Sequence, residues 1–401
     1  MNVIDVQDYL RELGMNGWLL TDYQLMNPHA IRFLGLDTDS HRSRRWFYFI
    51  PTVGAPVKIV HAIEPHVLKG IPGNVITYFS RTQLVNSLRN ILAGHSVIAM
   101  EYSPEGRLPS VSRVDAGTIE MIRSCGVTVV SSGDLLQLFT SCWDSAARLS
   151  HHLAANVLRD CVDAVWDLVR NRLTTGDLTE HTVQTFIMDR FAKNNCRTNH
   201  PPIVAIGAHS ADPHYNPDRS NSDVIRPDQL LLIDMWCKVN RPGSVYADIT
   251  WTAWTGDSPP DDVLTVFSIV RDARNLAIKT VCNAFTEKRA ITGADIDRST
   301  RTYITQNGFG DYFTHRTGHS LDTDVHGSGA NLDSLESEDE RLLLPGTGFT
   351  IEPGIYLPDH FGIRSEINIV VNPDGKVEIS GLPIQEELTR LIPTGSSPVS
   401  E

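Results

Sequence analysis

Four apolar, β-branched segments of this chain each carry a single carboxylate. They are Leu231-Leu232-Ile233-Asp234-Met235-Trp236, Val245-Tyr246-Ala247-Asp248-Ile249-Thr250, Phe349-Thr350-Ile351-Glu352-Pro353 and Gly362-Ile363-Arg364-Ser365-Glu366-Ile367-Asn368. Runs of this kind predict strands in a packed sheet. A carboxylate among them is costly unless something neutralises it, and a bound cation does so best. The chain is therefore constrained to a fold whose strands bring these acids together. Strand alternation puts Tyr246, Asp248 and Thr250 on one face, and Arg364 on the same face as Glu366, so a guanidinium stands beside a carboxylate. Asp234 and Asp248 flank Asn240-Arg241-Pro242-Gly243, a turn signal that predicts a hairpin bringing both acids to one place.

A second stretch, His315-Arg316-Thr317-Gly318-His319-Ser320-Leu321-Asp322-Thr323-Asp324-Val325-His326, holds three histidines. Imidazole is both a common metal ligand and a group that titrates near neutrality. Alone, such a cluster reads equally well as surface or hydrogen-bonded core histidines. Beside four carboxylates it completes a set of hard oxygens plus an imidazole, suited to two divalent ions.

These segments resemble the M24-type metallopeptidases, the family containing methionine aminopeptidase, aminopeptidase P and prolidase. The resemblance implies the pita-bread fold and a centre of two divalent ions (Mn, Co, Zn or Fe, with Mn favoured) held by Asp234, Asp248, His319, Glu352 and Glu366. All five ligands are present, unlike in creatinase, which has the same fold but works without them. It further implies that Glu352 both binds metal and shuttles a proton, and that His326 contacts the substrate carbonyl. His214, in Asp212-Pro213-His214, would face the scissile amide, and His315 and Arg364 would line the proline side, where a cation can pair with a carboxylate. A plain hydrogen-bonding role stays open for His214 and His315. His151, His152, His200 and His209 match nothing and read as structural.

Before these motifs, residues 1–142 alternate helical and strand patterns. Val6 to Leu13 reads as a helix, and Gly17 to Thr21, Arg45 to Ile50, Pro56 to Val60, Ser96 to Glu101 and Gly126 to Val130 as strands. That alternation predicts an α/β domain. Gly14-Met15-Asn16-Gly17-Trp18-Leu19-Leu20-Thr21-Asp22 resembles the creatinase-like N-terminal domain, which in the family helps form the dimer and covers the active-site mouth. From Ala146 the pattern turns helical, with Leu158, Val162, Val165 and Val169 on one stripe up to Leu173. Further helices are predicted from Thr179, over 259–285, and from Ala294 to Asn307 with Gly308 as the stop. An α+β pita-bread catalytic domain is thus expected over 143–393, and a disordered tail over 394–401.

Composition excludes little but points consistently. A net charge of −13 offers no attraction to nucleic acid or anionic membrane. No apolar run approaches the roughly 18 residues of a membrane span, and the first eight residues lack a signal-peptide pattern, so a cytoplasmic setting is expected. Six cysteines without a CxxC pair read as reduced, and no glycine loop for phosphate follows a strand.

The expected function is hydrolysis of the bond before proline in di- or short peptides by a homodimer, as an Xaa-Pro dipeptidase or, on longer peptides, an Xaa-Pro aminopeptidase. A metal-free binding protein or small-amide hydrolase on the same scaffold is the reading from another class. Ser320-Leu321-Asp322 after His319, and Gly327-Ser328-Gly329-Ala330 after His326, depart from the family pattern and bear on substrate choice. The latter reads as a flexible neutral loop, and the acidic run Asp333 to Glu340 as a solvated surface segment.

Overall fold

A computed structural model describes residues 2–39 and 42–392; the tail expected over 394–401 lies outside the described residues. The chain forms two compact units, Met1–Thr140 and Ser141–Glu401.

In the first unit the strands are Gly17–Asp22 (β1), Trp46–Pro51 (β2), Val57–His61 (β3), Asn74–Tyr78 (β4), Val97–Met100 (β5) and Thr128–Ser131 (β6), in one sheet ordered β4-β3-β2-β1-β5-β6. Its helices are Val3–Glu12 (α1), Pro28–Leu34 (α2), Arg81–Leu92 (α3), Ala116–Arg123 (α4) and Gly133–Thr140 (α5). Both faces of the sheet are covered. Trp18, Leu20, Trp46 and Tyr48 pack on one side, while Leu19, Phe47 and Phe49 pack on the other, as strand alternation requires.

The second unit has four long helices, Ser145–Arg172 (α6), Glu180–Lys193 (α7), Asp261–Thr286 (α8) and Gly293–Gln306 (α9). Three are capped by side chains that their sequences supply. Asp144 and Thr179 accept backbone N–H groups, and Thr292 forms a capping box with Asp295. The α6 stripe of Leu158, Val162, Val165 and Val169 buries against Ile233, Met235 and Ile249. The strands here are the two-residue Cys196–Arg197 (β7), Ile203–Ile206 (β8), Leu230–Val239 (β9) and Ala247–Trp254 (β10); Ile233 and Met235 flank Asp234 on β9, and Ile249 follows Asp248 on β10. The β9–β10 hairpin sets Asp234 opposite Thr250 and Asp248 opposite Trp236, so both acids lie on the face turned away from α6.

The remaining strands are Ser320–Leu321 (β11), Gly348–Ile351 (β12), Gly354–Leu357 (β13), Phe361–Arg364 (β14), Ile367–Val371 (β15), Val377–Ser380 (β16) and Thr389–Arg390 (β17). β17, β10, β9 and β7 lie side by side with β8 also on β9; β11-β12-β15-β16 form a second sheet, and β13-β14 a two-stranded ribbon. Here the structure corrects the reading of two continuous strands around Glu352 and Glu366. The second sheet ends at the pair Ile351↔Ile367, and the ribbon begins at Gly354↔Arg364. Both acids fall in the breaks between sheets. Pro353 has no N–H for a ladder, and its carbonyl instead accepts Ser365 N while Thr250 O accepts Glu366 N, so both chains step across at one level.

The acidic run is a second correction. Glu336, Glu338 and Glu340 are exposed, but Asp333 and Asp339 are buried. Asp333 accepts the backbone N–H groups of Leu335, Glu336 and Ser337, and Asp339 pairs with Arg341. Arg341 then donates to the carbonyls of Ser328 (2.8 Å) and Gly329 (2.7 Å), and Gly327 N donates to Ser320 O (2.6 Å). The expected flexible loop is therefore tied down at successive residues. Among the described residues no helix is long and apolar enough to cross a membrane.

Candidate metal centre and active-site cavity

Strands, strand breaks and one tight turn deliver the predicted side chains to a single cavity of about 550 Å³. Asp234, Asp248, His319, Glu352 and Glu366 all line it, as do His214, His315, His326 and Arg364. Asp248, His319 and Glu366 form the tightest group, with one ligand atom of each within 4.8 Å of the others. His319 Nε2 stands 3.7 Å from Asp248 Oδ2 and 3.4 Å from Glu352 Oε1.

The supports of these groups are local. Gly318 precedes His319 because a Cβ there would stand 2.1 Å from Thr350 O, and Thr350 Oγ1 accepts His319 N at 2.9 Å. Thr350 Oγ1 also donates to Glu352 (3.1 Å), and Thr250 Oγ1 to Glu366 (2.7 Å). Asn368 Oδ1 accepts Asp248 N at 2.9 Å. Arg364, 4 % exposed, is bonded to Asp234 through Nη2, to Thr250 through Nε and to Tyr356 through Nη1. The guanidinium thus stands beside a carboxylate, as strand alternation predicts, but that carboxylate is Asp234 and not Glu366. His315 spans Arg316 O and Tyr356 OH, each at 2.7 Å.

The donor set fits divalent ions. Asp234 Oδ1, Asp248 Oδ1 and Glu366 Oε1 are buried acceptors with no hydrogen-bond partner. The Ser320 carbonyl, 3.2 Å from His319 Nδ1, can be served only by an N–H, which leaves the Nε2 lone pair facing carboxylate oxygens. Acceptor against acceptor is stable only with a cation or protons between them. Burial and the neighbouring carboxylates accordingly hold Asp248 and Glu366 well above the ordinary carboxylate range. Burial raises Glu352 to about 7 against the pull of Arg364 and Arg316. Burial also holds His319 well below the usual histidine range.

Several supporting residues escaped the sequence reading. Tyr356 bridges His315 and Arg364, and the signal was present four residues after Glu352. A side chain at Gly354 would meet Tyr356 OH at 2.5 Å, so that glycine makes room for the ring. Asp297, wholly buried in α9, accepts Thr317 N (2.9 Å), Thr317 Oγ1 (2.6 Å) and Ser334 N (3.0 Å), which fixes the turn carrying His319. Nothing in its amphipathic helix marks it. Glu180, also wholly buried, holds the segment leading to His214 by accepting Ile206 N, Asp223 N, Tyr215 OH and His209 Nδ1, which places His209 in a structural role. His151 is likewise structural, bonded to Tyr246 O and Ser380 Oγ. His200 lies in the cavity lining.

Comparison with known proteins agrees with this geometry. The chain is 34% identical over 185 residues to the uncharacterized peptidase YqhT of Bacillus subtilis, covering 45% of this chain and 46% of that protein. The match thus spans about half the length of this curated relative. Dipeptidase PepE from Mycobacterium ulcerans superposes with a TM-score of 0.69 at 23% identity, covering 97% of both chains. An Xaa-Pro dipeptidase from Bacillus anthracis superposes with a TM-score of 0.64 at 20% identity, covering 97% of this chain and 100% of that one. The fold is therefore that of the pita-bread peptidases. The sequence profile of metallopeptidase family M24 matches residues 147–373, more than half of the chain, and with the site built on those same residues the chain belongs to that family.

Proposed function

We propose that the chain is a two-metal exopeptidase hydrolysing the bond before proline, with Xaa-Pro dipeptides as its substrates. The observation that carries this reading is the set of three unpartnered buried carboxylate oxygens facing an unprotonated His319 Nε2. Asp234, Asp248, His319, Glu352 and Glu366 would hold the ions, which when bound acidify water and stabilise developing negative charge. Glu352, near neutrality in its buried setting, accepts the proton of the attacking water and passes it to the proline nitrogen as the C–N bond breaks. His214 and His326 line the cavity with no hydrogen-bond partner for either imidazole among the described residues, which leaves their N–H groups for the substrate carbonyl. Arg364 and Tyr356 orient Asp234 and His315. The family resemblance and the Xaa-Pro dipeptidase of similar fold support the proline preference, and the resemblance also supports manganese and a homodimer.

Proline release from an aliphatic Xaa-Pro dipeptide and cleavage of the matching Xaa-Pro-Yaa tripeptide, both after Mn²⁺ reconstitution, test the reading. Cleavage of the dipeptide alone is the expected result. Cleavage of the tripeptide alone would make it an Xaa-Pro aminopeptidase, and cleavage of neither would sink the proline assignment.

A further inference from the structure

Two arginines line the cavity, and they are held in opposite ways. The Arg364 guanidinium is committed to Asp234, Tyr356 and Thr250. His315 likewise has both ring nitrogens engaged. Neither is free to be the main anchor of a substrate anion.

Arg316 is fixed at its backbone and unengaged at its head. Its carbonyl accepts His315 Nδ1 at 2.7 Å, and the next residue, Thr317, is bonded to Asp297 through both backbone and hydroxyl. Gly318 then lies against Thr350 with no room for a side chain. The Arg316 side chain has no hydrogen-bond or ion-pair partner among the described residues, although it is half-buried. Its charge reaches the reacting groups, lowering the Glu352 carboxyl and the His326 imidazole from where burial alone would set them or the free group would lie. Carboxylates of the cavity act on this guanidinium only at a distance, and a half-buried guanidinium with no acceptor in contact is left short of hydrogen bonds that a ligand anion can supply. In a peptidase cavity the anion of matching shape is the α-carboxylate of a short peptide, which a guanidinium binds through two parallel hydrogen bonds.

We propose that Arg316 is a specificity-determining residue that binds the C-terminal α-carboxylate of the substrate from the cavity wall, and so selects peptides short enough to reach both it and the metal centre. The inference rests on the peptidase reading but not on the proline preference.

Calorimetric binding of an Ala-Pro analogue with the scissile carbonyl reduced to methylene, as free acid and as C-terminal amide, tests it on the Mn²⁺-loaded protein. The wild type should bind the acid at least about tenfold more tightly than the amide, the scale of a charge-assisted contact. Arg316→Gln should erase that difference by weakening the acid and not the amide, with Arg316→Lys restoring part of it. Equal weakening of both forms by Arg316→Gln would show a structural role and overturn the proposal. So would a wild type that binds both forms alike, or neither. If the acid preference is present but no peptide is turned over, the carboxylate anchor stands and the hydrolytic reading fails.

Discussion

Replacing Asp248 with alanine should lower kcat/KM on any peptide substrate by about a thousandfold or more, while the chain stays folded. A bound divalent ion supplies several kcal/mol of charge stabilisation, and losing one ligand of a shared centre forfeits most of it. The fold should tolerate the change because the Asp248 backbone is held independently of its carboxylate. Its Oδ1 has no partner, its Oδ2 comes no closer to His319 than 3.7 Å, and its backbone is held independently by the β9–β10 ladder and Asn368. Removing one of several mutually repelling buried carboxylates should even raise the melting temperature of the chelator-stripped protein. Activity assays beside thermal melts check both halves. Retained turnover would contradict the shared centre, and a collapsed melt would show that Asp248 is structural.

Stripping divalent ions should destabilise the protein, and by more at high pH than at low. Glu352 lies near 7 in the folded, metal-free chain, well above its ordinary value, and burial raises Asp248 and Glu366 as well. A raised carboxyl keeps its proton in the folded state at a pH where the unfolded chain has released it. Stability is therefore complete below about pH 4 and is lost as pH rises towards 7, by roughly 3 kcal/mol for Glu352 alone. Buried His151 works in the opposite sense. It is lowered to about 4 by burial, so its contribution is present above the ordinary histidine range and is lost as pH falls from about 6.5 to 4. It is common to the stripped and loaded forms, so the gap between their melting temperatures isolates the metal ligands, His319 among them, whose lowered imidazole also frees the site of protons as pH rises. That gap should widen with pH as ions cease to compete with protons, to the order of 10 °C at saturating Mn²⁺. A gap that stays constant or shrinks would contradict the assignment.

Much of the catalytic unit was legible because its signals are local. The α6 stripe, the helix start at Thr179 and the hairpin turn each act over a few positions, and each segment folds as its own pattern directs. The four embedded acids were legible for the same reason, since nothing nearby could neutralise them. Long-range pairing decided what was missed. Glu352 and Glu366 lie in apolar runs that look continuous, and only the facing register of two sheets shows that both strands break there. Asp333 and Asp339 sit in an acidic run that composition assigns to solvent, yet backbone N–H groups and Arg341 bury them. Asp297 and Tyr356 gain their roles from partners 20 and 41 residues away, a relation that no sequence period records.

The most direct test of the account is to titrate the chelator-stripped chain with Mn²⁺ and follow bound ion and dipeptide hydrolysis in the same samples. Activity should be absent without ion and should reach its maximum as binding saturates at two ions per chain, with Asp248→Ala failing on both counts. Full hydrolysis by the stripped protein, or two ions bound with no hydrolysis of any di- or tripeptide, would contradict a metal-dependent peptidase built on these five ligands.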